Sequence, residues 1–126
     1  VISPEQPISG SSLSLKLLGF LSFAITFAVI YFYLSPDYPL KQSVGNILLG
    51  DKIIHLFSFG ILMYCFSMLW KQNHIRIILG VFFMMLGIGL ELLQTPVGAG
   101  QFEFGDIIAN TLGVVIGYLF TKFHAV

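Results

Sequence analysis

Four stretches of this chain run for about 14 to 19 residues without a charged side chain, close to the length at which an α-helix crosses the hydrocarbon core of a bilayer. The first, Leu17 to Ser35, follows Lys16 and ends at the helix-stopping Ser35-Pro36-Asp37. The second, Ile53 to Trp70, lies between Lys52 and Lys71 and is interrupted only by His55. A third spans Ile75 to Leu93 but is free of charge only from Ile77 to Leu90, about 14 residues, so crossing requires that Glu91 enter with it. The fourth, Ile107 to Thr121, is about 15 residues long and puts Asp106 at or just inside the membrane edge.

These runs predict an all-α integral membrane protein, a four-helix transmembrane bundle with helices over 16–35, 52–70, 75–94 and 106–122. Composition agrees: 56% of the residues are hydrophobic and only 10% are charged. One domain is expected over 15–126, preceded by a flexible leader over 1–14 that is rich in Ser, Pro and Gly. The first apolar run is too long for a signal peptide and no small-residue cleavage site follows it, so a retained helix is expected. Lys16, then Lys71 and Arg76, then Lys122 fall on one side of the predicted bundle, which the distribution of basic residues assigns to the cytoplasm. Both termini are therefore expected inside, in a multi-pass protein.

The formal net charge is zero and no basic run exists, which excludes a nucleic-acid footprint. The single cysteine, Cys65, rules out an internal disulfide and reads as a packed or lipid-facing thiol. No nucleotide-binding loop, nucleophile elbow or Cys/His zinc spacing is present. Tyr31, Tyr33, Tyr38 and Trp70 read as interfacial anchors, and Gly113-Val-Val-Ile-Gly117 as a small-residue face that admits a neighbouring backbone.

The remaining polar groups converge. Asp51 and His55 open the second helix, Glu91 and Gln94 close the third, and Asp106 and Asn110 open the fourth. Each pair is spaced by about one helical turn and so shares one face of its helix. Helices this apolar should turn those faces toward each other rather than toward lipid. Asp51 and Asp106 could serve as N-terminal caps alone. Glu91 has no such role, because a carboxylate at the C-terminal end of a helix opposes the dipole. With Asp51 a turn before it, His55 has an orienting partner; Lys52, the nearby cation, projects about a hundred degrees away from Asp51 and is free to snorkel into the headgroups. Unpaired carboxylates at this depth require proton sharing, a cationic ligand group or a divalent metal held by Asp51, His55, Glu91 and Asp106.

Read in order, D51-K-I-I-H55, E91-L-L-Q94 and D106-I-I-A-N110-T-L-G113-V-V-I-G117 resemble the VanZ-like family, over more than half the chain. The resemblance implies a small protein of the bacterial cytoplasmic membrane, in a family associated with resistance to teicoplanin-type glycopeptides. It carries over Asp51, Lys52, His55, Glu91, Gln94, Asp106, Asn110 and Gly113 as site positions. It also implies a basic residue, usually Arg, in the loop between the third and fourth helices, where this chain has Gln101 and Glu103 but no cation.

Three functions are compatible with these residues. The first is an envelope factor that binds a lipid or lipid-linked amphiphile in an outward-facing pocket, with Lys52, Gln94, Gln101 and Asn110 as ligand contacts. The second is a membrane-embedded enzyme acting on lipid or polyprenyl phosphates, with His55 as general acid or base oriented by Asp51, and Glu91 with Asp106 holding a metal or sharing a proton. The third is a proton-coupled carrier, for which four helices would need to pair with a second copy. Membrane lipids are expected partners of all three.

Overall fold

The computed structural model describes residues 12–35, 50–99 and 101–124. They form four α-helices: α1 (Ser12–Leu34), α2 (Gly50–Ser67), α3 (Asn73–Gln94) and α4 (Phe104–His124). Three of them, over Leu13–Leu34, Asn73–Gln94 and Phe104–Phe123, are long and apolar enough to cross a membrane. α2 has 18 residues, carries Asp51, Lys52 and His55 near its start, and falls outside that group. Residues 1–11 of the expected leader, and Tyr38, lie outside the described residues.

The helix boundaries differ from those drawn on hydropathy for local reasons. α2 stops at Ser67 rather than continuing to Trp70, because Leu69 N–H bonds Phe66 O and Trp70 N–H bonds Ser67 O. Such three-residue bonds tighten the last turn and end the helix while the sequence is still apolar. α1 begins at Ser12, ahead of Lys16, and α4 at Phe104, ahead of Asp106. Asp51 and Asp106 therefore occupy first turns, where their charge faces the positive end of the helix dipole.

α2 is the hub. It packs against α1, α3 and α4, most extensively against α4, and both helices begin at the same end of the bundle. Their close approach depends on missing side chains: a Cβ on Gly113 would overlap the Leu56 carbonyl, and one on Gly117 would lie 2.5 Å from the Gly60 carbonyl oxygen. The small-residue pattern in α4 is thus a packing face, as its sequence predicts. Phe59, Leu62, Met63 and Phe66 of α2 form the core with Phe83 and Leu90 of α3, Val114 of α4 and Tyr33 of α1. Tyr33 is not an interfacial anchor: it is 3% exposed, and its neighbour Tyr31 faces outward instead.

The outer faces are apolar. Phe20, Phe27, Ile78, Met85 and Phe123 are all more than half exposed, a surface that requires lipid. Hydroxyls on the same helices bond back to their own backbone, as Ser22 does to Leu18, Thr26 to Ser22 and Thr121 to Gly117. That arrangement satisfies these three hydroxyl donors within their own helices.

Candidate functional site

At the end where α2 and α4 begin, three carboxylates gather around one ammonium, and a fourth, Glu91, lies close by. Lys52 Nζ lies 2.8 Å from Asp51 Oδ2, 2.6 Å from Glu103 Oε2 and 2.6 Å from Asp106 Oδ1. The side chain of Lys52 reaches Asp106 by crossing Gly105, where a Cβ would come within 2.9 Å of Lys52 Cε. Lys52 therefore turns inward rather than snorkelling. Asp106 Oδ1 is sealed from solvent and its contact with Lys52 is an ion pair without hydrogen-bond alignment. One ammonium cannot neutralise four ionised carboxylates, so the cluster calls for a shared proton or a further cation.

His55 sits one turn deeper and is buried. Its Nδ1 is 2.7 Å from Asn110 Oδ1, so Nδ1–H donates to the amide oxygen and leaves the Nε2 lone pair pointing the other way. Nε2 faces Asp106 Oδ2 at 3.4 Å. The ring stacks on Tyr33 with centroids 4.5 Å apart, and Tyr33 O–H donates to Ser58 Oγ. Asn110, rather than Asp51, is thus the orienting partner of the imidazole; Asp51 is engaged by Lys52. Asn110 is itself set against Gly87 of α3, where a Cβ would meet its amide.

Glu91 is 1% exposed, and its Oε1 accepts the backbone N–H of Glu103 at 2.7 Å. The loop that delivers this N–H begins with a helix stop. Gly98 adopts φ +73°, Gly98 N–H bonds Thr95 O, and Ala99 N–H bonds Gln94 O, the paired bonds that close a helix C-terminus through a left-handed residue. Ala99 is buried beneath the turn. Gln94 points elsewhere: its Nε2 donates to the Tyr33 carbonyl at 3.2 Å and ties α3 to α1. Gln101 is exposed, with no side-chain hydrogen bond among the described residues.

Ligand atoms of His55, Glu91 and Asp106, all buried, lie within 4.8 Å of one another; a second group of the same kind is Asp51, Glu103 and Asp106. The two differ chemically. Lys52 already supplies a cation to the second group, whereas no basic side chain among the described residues pairs with Glu91. In the first, two carboxylates and an imidazole lone pair converge, and Lys52 reaches only Asp106, through Oδ1. Two ligands of a tetrahedral ion at about 2.1 Å are separated by about 3.4 Å, and His55 Nε2 is 3.4 Å from Asp106 Oδ2. The donor set of one nitrogen and two carboxylates fits a borderline or hard divalent cation.

This is the ordered constellation that the three sequence motifs share, and the model of one family, VanZ/LLP1, matches residues 4–125. The chain belongs to the VanZ/LLP1 family. No curated protein and no solved structure matches it. Within this VanZ/LLP1 chain, the cation among the acidic side chains is Lys52 of α2 and not a residue of the loop before α4. That loop contributes Glu103 instead, a site residue that motif reasoning passed over. The sequence carried one signal for it: the isolated carboxylate in an otherwise apolar Phe102-Glu103-Phe104 segment.

Proposed function

We propose that this VanZ/LLP1 protein is a membrane-embedded enzyme that acts, with a divalent cation, on the phosphate of a lipid or polyprenyl phosphate. The observation that carries the reading is the His55, Glu91 and Asp106 triad, whose three buried ligand atoms lie within 4.8 Å of one another, with Lys52 on the Asp106 oxygen that does not face His55. This favours the enzyme over a pocket that only binds an amphiphile, because a binding pocket has no need of converging lone pairs. The groove between α2 and α4, at Leu56, Gly60 and Ile116, is lined by apolar side chains.

A divalent cation at the triad would supply positive charge to phosphate oxygens that the carboxylates would otherwise repel. The chain's own groups account for the remaining roles. Lys52 Nζ, among Asp51, Glu103 and Asp106, neutralises part of the acidic rim and offers an ammonium to a phosphate oxygen. Asn110 holds the His55 proton on Nδ1, so that Nε2 either ligates or accepts a proton from an attacking water. Glu91, fixed by the Glu103 N–H, and Asp106, fixed by Lys52, keep their carboxylates in place without solvent.

The substrate class follows from location: groups at the ends of membrane helices first meet molecules with a polar head and an apolar tail. In this reading α2 spans the bilayer as a fourth helix, and the acidic end faces outward, away from Lys16, Lys71 and Lys122, in the bacterial cytoplasmic membrane. An effect on glycopeptide susceptibility would then arise through envelope lipids.

Purified protein should contain close to one equivalent of a divalent metal by elemental analysis, release phosphate from a lipid or polyprenyl phosphate, and lose both properties in Glu91→Gln. Metal-free protein that turns over none of these phosphates after reconstitution with zinc, manganese or magnesium would sink the proposal and leave the amphiphile-binding reading.

A further inference from the structure

The end of the bundle opposite the acidic cluster has its own unsatisfied chemistry. At the turn between α2 and α3, Ser67 Oγ, Gln72 Oε1 and Arg76 Nη2 are sealed from solvent without hydrogen-bond partners. Arg76 is 5% exposed, and its Nε donates to the Ser67 carbonyl at 3.0 Å. A guanidinium keeps its charge in any protein environment, and a buried charged donor left unpaired is strongly unfavourable. Among the described residues none supplies the partner. All the described carboxylates, Asp51, Glu91, Glu103 and Asp106, lie at the far end, and the nearest charged residue in sequence, Lys71, is a further cation.

Beside Arg76 a groove of about 260 Å³ runs between α3 and α4. Arg76 and Tyr118 line it together with Met63, Gly80, Val81 and Val114, and almost all of its exposed lining is apolar. Gly80 leaves its floor flat: a Cβ there would already touch Val114 and Met63. Tyr118 is held by its hydroxyl, which donates to Asn73 Oδ1 at 2.5 Å.

We propose that Arg76 and this groove form a site for an anionic phospholipid, its phosphate paired with the guanidinium and the start of one acyl chain lying along the groove. A free anion would pair with the charge but leave the apolar groove bare. A zwitterionic lipid would fill the groove but bring its own ammonium toward Lys71 and Arg76. A headgroup with net negative charge, covalently joined to an alkyl chain, satisfies both halves.

Trp70 is the chain's only tryptophan and a built-in reporter, because its backbone N–H and Arg76 Nε–H both donate to the Ser67 carbonyl. Full-length protein in phosphatidylcholine vesicles, titrated with chain-brominated phosphatidylglycerol or chain-brominated phosphatidylcholine, should show Trp70 quenching with about a fivefold preference for the glycerol lipid, the scale of about 1 kcal/mol. Arg76→Gln should bring the preference to unity. Lys71→Gln combined with Lys122→Gln should preserve most of it, since a local pair and not a diffuse field is responsible. Gly80→Leu, which fills the groove and keeps the guanidinium charge, should also abolish it, and serves as the test if Arg76→Gln does not fold. Equal quenching by both lipids in the wild type would overturn the site, leaving ordered water as the partner of these atoms. So would a preference that survives Gly80→Leu, or one that inorganic phosphate in excess removes.

Discussion

Replacing Lys52 by Met separates two descriptions of this protein. If Lys52 snorkels, its loss costs little; if it is the ammonium of the acidic cluster, the loss strands Asp106. The structure fixes the size of the effect. Asp51 and Glu103 have side chains 41% and 53% exposed, so each of these pairs contributes about 0 to 1 kcal/mol. Asp106 is different: its side chain is 7% exposed and 2.6 Å from Nζ. Removing one partner of a fully buried pair costs about 3 to 5 kcal/mol, and Lys52 is itself 28% exposed, so the expected loss is about 2 to 3 kcal/mol. Most of it should vanish when the stranded charge is removed as well. Unfolding of Lys52→Met, Asp106→Asn and the double variant in mixed micelles of rising dodecyl sulfate fraction, followed by far-ultraviolet circular dichroism, gives the coupling directly. A double variant at least about 1 kcal/mol more stable than the single effects predict supports the ion pair. Effects that add within about 0.5 kcal/mol would refute it and return Lys52 to the headgroups.

Three further outcomes follow from particular contacts. Asn110→Ala frees Nδ1 of His55 and should weaken metal binding by about 10- to 100-fold while Glu91→Gln abolishes it, as competition with a fluorescent chelator would measure. Glu91→Leu leaves the Glu103 N–H without its acceptor and should destabilise the protein by about 1 to 3 kcal/mol, whereas Glu91→Gln, which keeps an oxygen there, should cost less; micelle unfolding distinguishes them. Gly113→Ala must push α4 away from the Leu56 carbonyl, breaking the 2.7 Å His55–Asn110 bond, so the ¹⁵N signals of the imidazole should lose their single-tautomer pattern. Gly89→Ala, with open space around its Cβ position, should leave those signals unchanged.

Hydropathy made the helices legible because lipid imposes one requirement along a whole span, and a run of apolar residues reports it residue by residue. The membership of His55, Glu91, Asp106 and Asn110 in one cluster was legible for a related reason: a polar face on an apolar helix has nowhere to go but inward. What the pattern did not contain was direction along flexible side chains. Lys52 leaves its helix about a hundred degrees from Asp51, yet its methylenes cross Gly105 and bring Nζ back to both Asp51 and Asp106. Glu103 was hidden because its backbone and side chain act separately, the N–H on Glu91 and the carboxylate on Lys52. Tyr33 was misread because an aromatic near a span end satisfies the anchor rule equally well whether it faces lipid or stacks on a histidine.

The packing glycines and the polar cluster are one device. α2 and α4 run parallel, and their contacts climb in step: Lys52 against Asp106, His55 against Asn110, Leu56 against Gly113, Gly60 against Gly117. The upper contacts permit no side chain, so the helices are held at backbone distance and one turn below them the imidazole and amide meet at 2.7 Å. A wider crossing would let water reach these groups and weaken every electrostatic interaction among them. α3 can then approach as the third wall, because Gly87 yields space to Asn110 and Glu91 is presented at its end. Acidic residues near the membrane edge are individually tolerable; what makes these chemically useful is that a backbone-to-backbone contact fixes their separation before any ligand arrives.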